Sequence, residues 1–231
     1  GLPAAAVASL ETGRRRYPGN TRILFSLALA YNAAGQPVDA YRTLAHIKAL
    51  TTRDPAKKLS REFYITFGAT ADRAGRSLEA EQAFRQCLDH YPDAHEALNY
   101  LAYLWADSNE NLDEAMTFVT RALEAEPDNA AYVDTLGWIQ YRQGRYEEAR
   151  ATLERAFMVL PEDPVINDHL GDVHDALDDP AQARHYWTRS LMRDPDNRLT
   201  AWKLEASGAD VKRLLRRARK ALRRQEKNEQ E

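Results

Sequence analysis

Apolar, small and helix-ending residues recur along the chain at a fixed spacing, with polar residues between them. When the segment from 135 to 164 is moved along by 34 places, Gly137 falls on Gly171 and Pro161 falls on Pro195. Three more copies precede this segment, and one of them is a residue longer. A repeat of about 20 to 50 residues predicts an array of stacked units, each of which is one small supersecondary element.

Each copy predicts two antiparallel helices joined by a tight turn. Only small side chains let two crossing helices approach closely, which explains the Gly or Ala at the eighth and twentieth positions. These residues are Ala28, Gly68, Ala102, Gly137 and Gly171 at the eighth position and Ala40, Ala80, Ala115, Ala149 and Ala183 at the twentieth. The left-handed end of the first helix is assigned to Gly35, Gly75 and Gly144, and the stop after the second helix to Pro92, Pro127, Pro161 and Pro195.

These positions resemble the tetratricopeptide repeat, whose pattern has a large residue, Leu-Gly, Tyr, Ala, a second large residue, Ala and Pro over 34 places. The resemblance extends over nearly the whole chain. It implies an all-α, right-handed α-solenoid of helix-turn-helix units with capping helices at the C-terminal end. Five full units are predicted, at 21–54, 61–94, 95–129, 130–163 and 164–197.

Three segments depart from the full repeat. Residues 1–20 align with the second helix of a unit alone, so we expect a fragment of a longer array; an ordinary capping helix is the alternative. A lone second helix exposes the apolar side that its partner would cover, which predicts a homodimer through that side.

Residues 51–60 make their unit about six residues too long for the repeat, which predicts an extended helix or loop. Residues 198–231 predict a capping helix and a basic helix that fades into a polar tail.

Composition is that of an ordinary folded chain, with 231 residues of which 44% are hydrophobic and 29% charged. No stretch approaches about 18 consecutive apolar residues, so the sequence predicts no membrane span. The net charge of −3 conceals an asymmetry, because the chain from Arg198 onward has 11 Lys and Arg against 5 Asp and Glu. The body is therefore acidic and the C-terminal segment basic.

The family resemblance implies a concave binding face, lined by the second, fifth, ninth and twelfth places of each first helix. In the C-terminal half these places are aromatic and acidic, and the predicted groove residues are Asn99, Tyr103, Asp134, Trp138, Tyr141, Asp168, Asp172, Asp175 and Trp202. Such a groove favours a peptide that carries Lys or Arg with apolar neighbours, through cation–π contact and charge pairing. The clamp that grips chaperone C-terminal carboxylates needs Lys or Arg together with Asn at the fifth and ninth places. That set is absent here, because these places hold Phe25, Leu29, Ile65, Ala69, Asn99, Tyr103, Asp134 and Trp138.

Two alternatives apply to the same residues. Trp138 and Trp202 can simply pack on the neighbouring unit, and the three aspartates of the fifth unit can form a solvated helix face. Trp105 and Trp187 fall on buried places of the repeat.

No pattern for catalysis or for a cofactor was found, so the sequence predicts a chain that is not an enzyme and holds no cofactor or metal. His169 with Asp172, or Asp168 with Asp172, has the spacing for a divalent metal on one helix, but His174 turns to another face. Cys87 lies in a small-residue position of the repeat, which indicates a core residue rather than a nucleophile.

Three interpretations remain open for the basic C-terminal helix. It binds nucleic acid or anionic lipid, it folds back onto the acidic groove, or it is a solvated end of the array. The last is favoured, and we predict no nucleic-acid partner because the segment lacks aromatic residues for base stacking.

The segments LAYLWAD, DTLGW and NDHLGDVHDAL are similar to the C-terminal repeats of long tetratricopeptide proteins of Gram-negative bacteria. This similarity implies a non-catalytic scaffold or adaptor for an envelope protease or assembly machine, in the periplasm or at the outer membrane. A cytoplasmic assembly or regulatory scaffold, and a regulatory module of a larger enzyme, are the alternatives.

Overall fold

The computed structural model describes residues 2–52 and 58–228, with side chains described as far as Arg224. Within these ranges the chain forms thirteen α-helices and no strand. The helices are α1 (Leu2–Arg16), α2 (Thr21–Ala33), α3 (Pro37–Thr52), α4 (Arg61–Arg73), α5 (Ser77–His90), α6 (His95–Ser108), α7 (Leu112–Ala125), α8 (Ala130–Arg142), α9 (Tyr146–Val159), α10 (Pro164–Ala176), α11 (Pro180–Arg193), α12 (Arg198–Ala206) and α13 (Val211–Asn228). The prediction of an all-α chain built from helix-turn-helix pairs is confirmed.

Short polar side chains start the first helices of the pairs. Asn20, Asn129, Asp163 and Asn197 each accept hydrogen bonds from two backbone N–H groups of the first turn, and Ser60 accepts one from Phe63. An N-cap of this kind satisfies donors that the helix itself leaves unpaired. The same residue class at the same place of successive pairs keeps the start of each first helix in register.

The turns between paired helices have the left-handed backbone that the glycine pattern predicted. Gly35, Gly75 and Gly144 have φ values of +70°, +72° and +77°. Asp178 takes this conformation in the last pair with φ +58°, although it has a side chain. Each second helix ends two residues before its proline, so the predicted stops are confirmed.

Close helix crossings explain the glycines at the eighth position. A Cβ atom built on Gly68 would lie 2.5 Å from the Phe84 ring, and one on Gly171 would lie 2.3 Å from the Trp187 ring. The five alanines at the twentieth position are fully buried. Small residues are therefore required at these crossings, as the sequence predicted.

The described chain divides into two compact units, and the boundary between Leu104 and Trp105 falls within α6. In unit 1, α2 to α5 enclose a core of Leu, Phe and Ala that includes the buried Phe84 ring, which stacks on Tyr100 at 5.0 Å. Cys87 is fully buried in this core, as predicted, and burial raises the pKa of its thiol to about 11.

Unit 2 contains α7 to α13 and the end of α6. One apolar cluster joins α8, α9 and α10, and a second joins α11, α12 and α13. Trp105 and Trp187 are buried, as the repeat pattern predicted.

Three further observations bear on the sequence predictions. Helix α3 has 16 residues, two more than the second helices α5, α7, α9 and α11, while residues 53–57 of the long segment lie outside the described residues. Helix α1 has no buried residue. Across the described ranges, no helix combines the length and the apolar character that crossing a membrane requires.

Candidate partner-binding face

Seven of the nine predicted groove residues lie in unit 2, on its successive first helices. Helix α8 carries Asp134, Trp138 and Tyr141, α10 carries Asp168, Asp172 and Asp175, and α12 carries Trp202. We call this surface the α8–α10–α12 face. Asn99 and Tyr103 lie on the part of α6 that belongs to unit 1, where Asn99 is buried and Tyr103 is half-buried.

A buried histidine joins α8 to α10. Asp134 Oδ1 lies 2.9 Å from His169 Nδ1, and both side chains are almost completely buried. The Trp138 ring stacks on His169 at 4.1 Å and on Tyr141 at 4.8 Å, with interplanar angles of 9° and 10°. Trp138 is therefore held between two rings and is only 6% exposed.

A buried lysine joins α10 to α12. Lys203 Nζ lies 2.8 Å from Asp168 Oδ2 and 2.7 Å from Asp172 Oδ1. The Thr200 hydroxyl donates to Asp168 at 2.7 Å, and the Trp187 indole N–H donates to Asp172 at 2.9 Å. Both carboxylates and the ammonium group are thus hydrogen-bonded and mostly withdrawn from water, as a stable buried ion pair requires.

The two connections repeat the same geometry. Asp134 pairs with His169, and Asp168 pairs with Lys203, in each case across 35 residues of sequence. The fifth place of one first helix therefore supplies a carboxylate to the sixth place of the next first helix. This repeated pairing ties the three helices of the face together through side chains.

Burial and neighbouring charges shift the pKa values of these groups. Burial raises the pKa of Asp172, with Asp168 adding to this effect and Lys203 opposing it. Burial alone would lower the pKa of His169, but the charges of Asp134, Asp168 and Asp172 and the hydrogen bond to Asp134 raise it overall. Burial also raises the pKa of Tyr141, to about 12.

One part of the α8–α10–α12 face remains open. Trp202 is 65% exposed, although it is the largest side chain of α12. It borders a pocket of about 380 Å³ whose other lining residues are Tyr141, Asp172, Asp175, Trp187, Lys203, Ala206 and Ser207. Asp175 is exposed, and its carboxylate has no hydrogen-bond or ion-pair partner among the described residues. An aromatic side chain and a free carboxylate therefore border one opening.

These contacts change the role of most of the acidic residues that were predicted to line the C-terminal half of the groove. Asp134, Asp168 and Asp172 are paired within the chain, so they are neither free ligands for a cation nor a solvated helix face. Trp138 packs on the neighbouring helix pair, as the alternative interpretation had it. Trp202 and Asp175 keep the exposure that the groove prediction requires of them.

The structure gives the candidate metal ligands other partners within the chain. His169 turns its Nδ1 to Asp134, while Asp168 and Asp172 share Lys203. The carboxylates that were candidates for a cation are therefore already paired with a protein ammonium group. Within residues 2–52 and 58–224, no cluster of three His, Cys, Asp or Glu side chains has a geometry that could hold a metal.

Sequence reasoning missed the residues that pair with the aspartates of the face. Helix spacing alone predicts a metal-ligand role for His169 and assigns no role to Lys203. A signal was present, because Lys203 stands 34 places after His169 and each follows the preceding first helix's aspartate by 35 places. Comparison of neighbouring units place by place would have found both pairs.

The buried histidine makes unfolding depend on pH in a way that can be measured. Because the folded-state pKa of His169 is raised above its unfolded value of about 6.5, its stabilising effect is complete below that pH and is lost as the pH rises through the folded-state pKa. The His169→Gln substitution should therefore cost more unfolding free energy at about pH 5.5 than at about pH 9. Urea denaturation of parent and variant at both pH values measures the difference.

Two controls isolate this effect. His174, whose pKa is lowered by burial, acts in the opposite direction but equally in parent and variant, so it cancels from the difference. The exposed Gln182→Ala variant, which removes no titratable group, should show a cost that does not change with pH. The same cost for His169→Gln at both pH values would contradict the buried pairing with Asp134.

Comparison with known proteins identifies the repeat family. Two family models described as tetratricopeptide repeat match the chain, one at residues 1–50 and 66–130 and the other at 108–167. The chain is 30% identical to the type IV pilus assembly protein PilF of Pseudomonas aeruginosa over 142 residues, which cover 60% of this chain and 55% of PilF. It is 33% identical over 102 residues to a TPR repeat-containing protein of the same organism, covering 44% of this chain and 17% of that protein. The chain thus spans about half, or less, of the length of these relatives.

Solved structures show the same fold at low sequence identity. The TPR protein TTC0263 of Thermus thermophilus superposes with a TM-score of 0.64 at 15% identity, covering 81% of this chain and 98% of that one. A tetratricopeptide repeat protein of Parabacteroides merdae gives a TM-score of 0.67 at 16% identity, covering 94% of this chain and 92% of that one. These similarities concern the helical array.

Proposed function

Because the chain belongs to the tetratricopeptide repeat family, whose fold is typically a non-catalytic scaffold for protein–protein interaction, we propose that it binds a protein partner through the open part of its α8–α10–α12 face. The observation that carries this proposal is the exposure of Trp202 beside the free carboxylate of Asp175. Trp is highly buried on average in folded proteins, and it is enriched among the residues that dominate interface energies.

The charges around the pocket indicate the chemistry of the partner. Asp168, Asp172 and Asp175 carry three negative charges against the single positive charge of Lys203. A Lys or Arg side chain of the partner is therefore attracted to Asp175 and to the face of the Trp202 ring. Leu199, which is 58% exposed one turn before Trp202, offers contact for an apolar neighbour of that cation.

We propose further that the partner belongs to an envelope protease or assembly machine. The similarity to PilF, whose name assigns it to type IV pilus assembly, supports the assembly alternative. A periplasmic or outer-membrane location is part of the same proposal.

Selection from a phage-displayed library of random peptides tests the binding proposal. We expect the parent chain to enrich peptides with Lys or Arg beside apolar residues. The best peptide should bind Trp202→Ala at least about tenfold more weakly, as expected for an exposed aromatic anchor. The Asp175→Lys variant should bind cationic peptides more weakly still at low salt.

The chain offers a matched control for the loss of an exposed apolar side chain. Met158 is 81% exposed on α9, a second helix of unit 2 that lies outside the α8–α10–α12 face. Met158→Ala should bind the peptide as the parent does. Enrichment of acidic peptides, or equal affinities for the parent and the Trp202→Ala variant, would refute the proposed site.

A further inference from the structure

Helix α13 packs one side against α11 and α12 and turns the opposite side to solvent. Between Val211 and Arg224 it has eight Lys and Arg and no acidic residue. Val211, Leu214 and Leu215 pack against the apolar cluster of α11 and α12, and Ala218 is fully buried. This packing fixes the rotation of the helix about its axis, so its cations stay on the outer side.

Five of these cations form a continuous row. They recur at helical spacings of three and four and line a shallow pocket of about 480 Å³, and they are Arg216, Arg219, Lys220, Arg223 and Arg224. The row is about 12 Å long at the usual rise per residue of a helix. Arg219 lies 3.3 Å from Asp196, and both of these side chains are exposed.

The remaining charge of the row is not neutralised by the described part of the protein. Among the described residues, the other four cations of the row have no carboxylate within ion-pairing distance. The rest of unit 2 has the opposite charge, since the chain from Trp105 to Asn197 has twenty Asp and Glu against eight Lys and Arg. An anionic partner is therefore attracted to α13 and repelled by its surroundings.

The side chains of this segment narrow the class of anionic partner. No aromatic residue occurs from Lys203 to the end of the chain, so α13 offers nothing for nucleic-acid bases to stack on. Its apolar side is occupied by α11 and α12, so it cannot insert into the acyl region of a bilayer. A cationic row on one side of a helix suits the phosphate groups at a lipid surface, which require neither stacking nor insertion.

We propose that the cationic row of α13 docks unit 2 on a membrane surface rich in anionic phospholipids. This surface is separate from the α8–α10–α12 face, so the proposal goes beyond the binding of a protein partner. Contact through headgroup phosphates alone makes the association reversible and sensitive to salt.

Co-sedimentation of the full chain with lipid vesicles tests this inference. The vesicles contain one phosphatidylglycerol to two phosphatidylcholine molecules, and pure phosphatidylcholine vesicles serve as the neutral reference. We expect binding to the first kind alone, with a strong decrease as salt is added. Each cation near an anionic surface contributes roughly a fivefold increase in partition, so the triple variant Arg216→Gln, Lys220→Gln, Arg223→Gln should bind about 100-fold more weakly.

A second triple variant, Arg15→Gln, Arg42→Gln, Arg155→Gln, removes the same charge from exposed positions outside α13. It should bind vesicles nearly as the parent does, and thermal denaturation of both variants confirms that they are folded. Absence of binding to the anionic vesicles, or equal losses in the two triple variants, would overturn the proposal. So would displacement of the vesicles by a DNA duplex at equal phosphate concentration, because a nucleic acid would then be the preferred anion.

Discussion

Replacement of Lys203 by Met is expected to lower the unfolding free energy of unit 2 by about 3–5 kcal/mol, the usual cost of leaving buried charges without their partner. Lys203 is the counter-ion of both Asp168 and Asp172, and all three side chains are only 12–13% exposed. Without the ammonium group, two carboxylates would face each other in a site that already raises the pKa of Asp172. Urea denaturation followed by far-ultraviolet circular dichroism measures the loss.

The same site provides a rescue experiment. Combining Lys203→Met with Asp168→Asn and Asp172→Asn removes the buried charges together, so most of the lost stability should return. The exposed Lys212→Met on α13 is the matched control and should change stability by no more than about 0.5 kcal/mol. If Lys203→Met and Lys212→Met have equal effects, the buried ion-pair network does not contribute as described.

A second large effect is expected from one added methyl group. In Gly171→Ala the new Cβ would lie 2.3 Å from Trp187 Cδ1 and 2.4 Å from its Nε1. Trp187 cannot rotate away without losing its hydrogen bond to Asp172 and its place in the buried cluster with Leu191 and Leu204. We expect a loss of about 2–3 kcal/mol, because the overpacking exceeds the roughly 1 kcal/mol that Ala gains over Gly in a helix.

Two other glycines calibrate this result. Gly137→Ala meets the flexible Leu153 side chain at 2.6 Å, so it should cost less than Gly171→Ala. Gly19→Ala meets no atom within 4 Å and should be close to neutral. Thermal denaturation of the three variants gives the order directly, and a Gly171→Ala variant as stable as Gly19→Ala would show that α10 and α11 do not cross as closely as described.

The fold was predictable from the sequence because each repeat contains several independent local signals for the same helix-turn-helix geometry. Glycine at a left-handed turn, small residues at the helix crossing and proline after the second helix are local requirements with few alternative solutions. Asp178 shows the limit of such rules, since it adopts φ +58° at the place that Gly35, Gly75 and Gly144 hold in three earlier repeats. Asp178 lies 34 residues after Gly144, so the period of the repeat indicates this turn where the residue type does not.

The candidate site was only partly predictable, because its charges interact across units. The sequence placed Asp134, Asp168 and Asp172 on the correct helices, but whether a carboxylate is free depends on a neighbour 35 residues away. Burial of such a pair follows from how closely successive first helices pack, which the periodicity of one helix does not contain. Exposed positions such as Trp202 depend on fewer contacts, so their prediction was more direct.

The central claim is that Trp202 contacts the partner while the buried indoles of the chain only maintain the fold. The chain has four tryptophans, so four indole N–H resonances are expected in a nitrogen-15 correlation spectrum, and a Trp202→Phe variant assigns the one of interest. On titration with the selected cationic peptide, the Trp202 resonance should move most and that of the buried Trp105 should stay in place. Binding of the peptide with the Trp202 resonance unchanged would contradict the account.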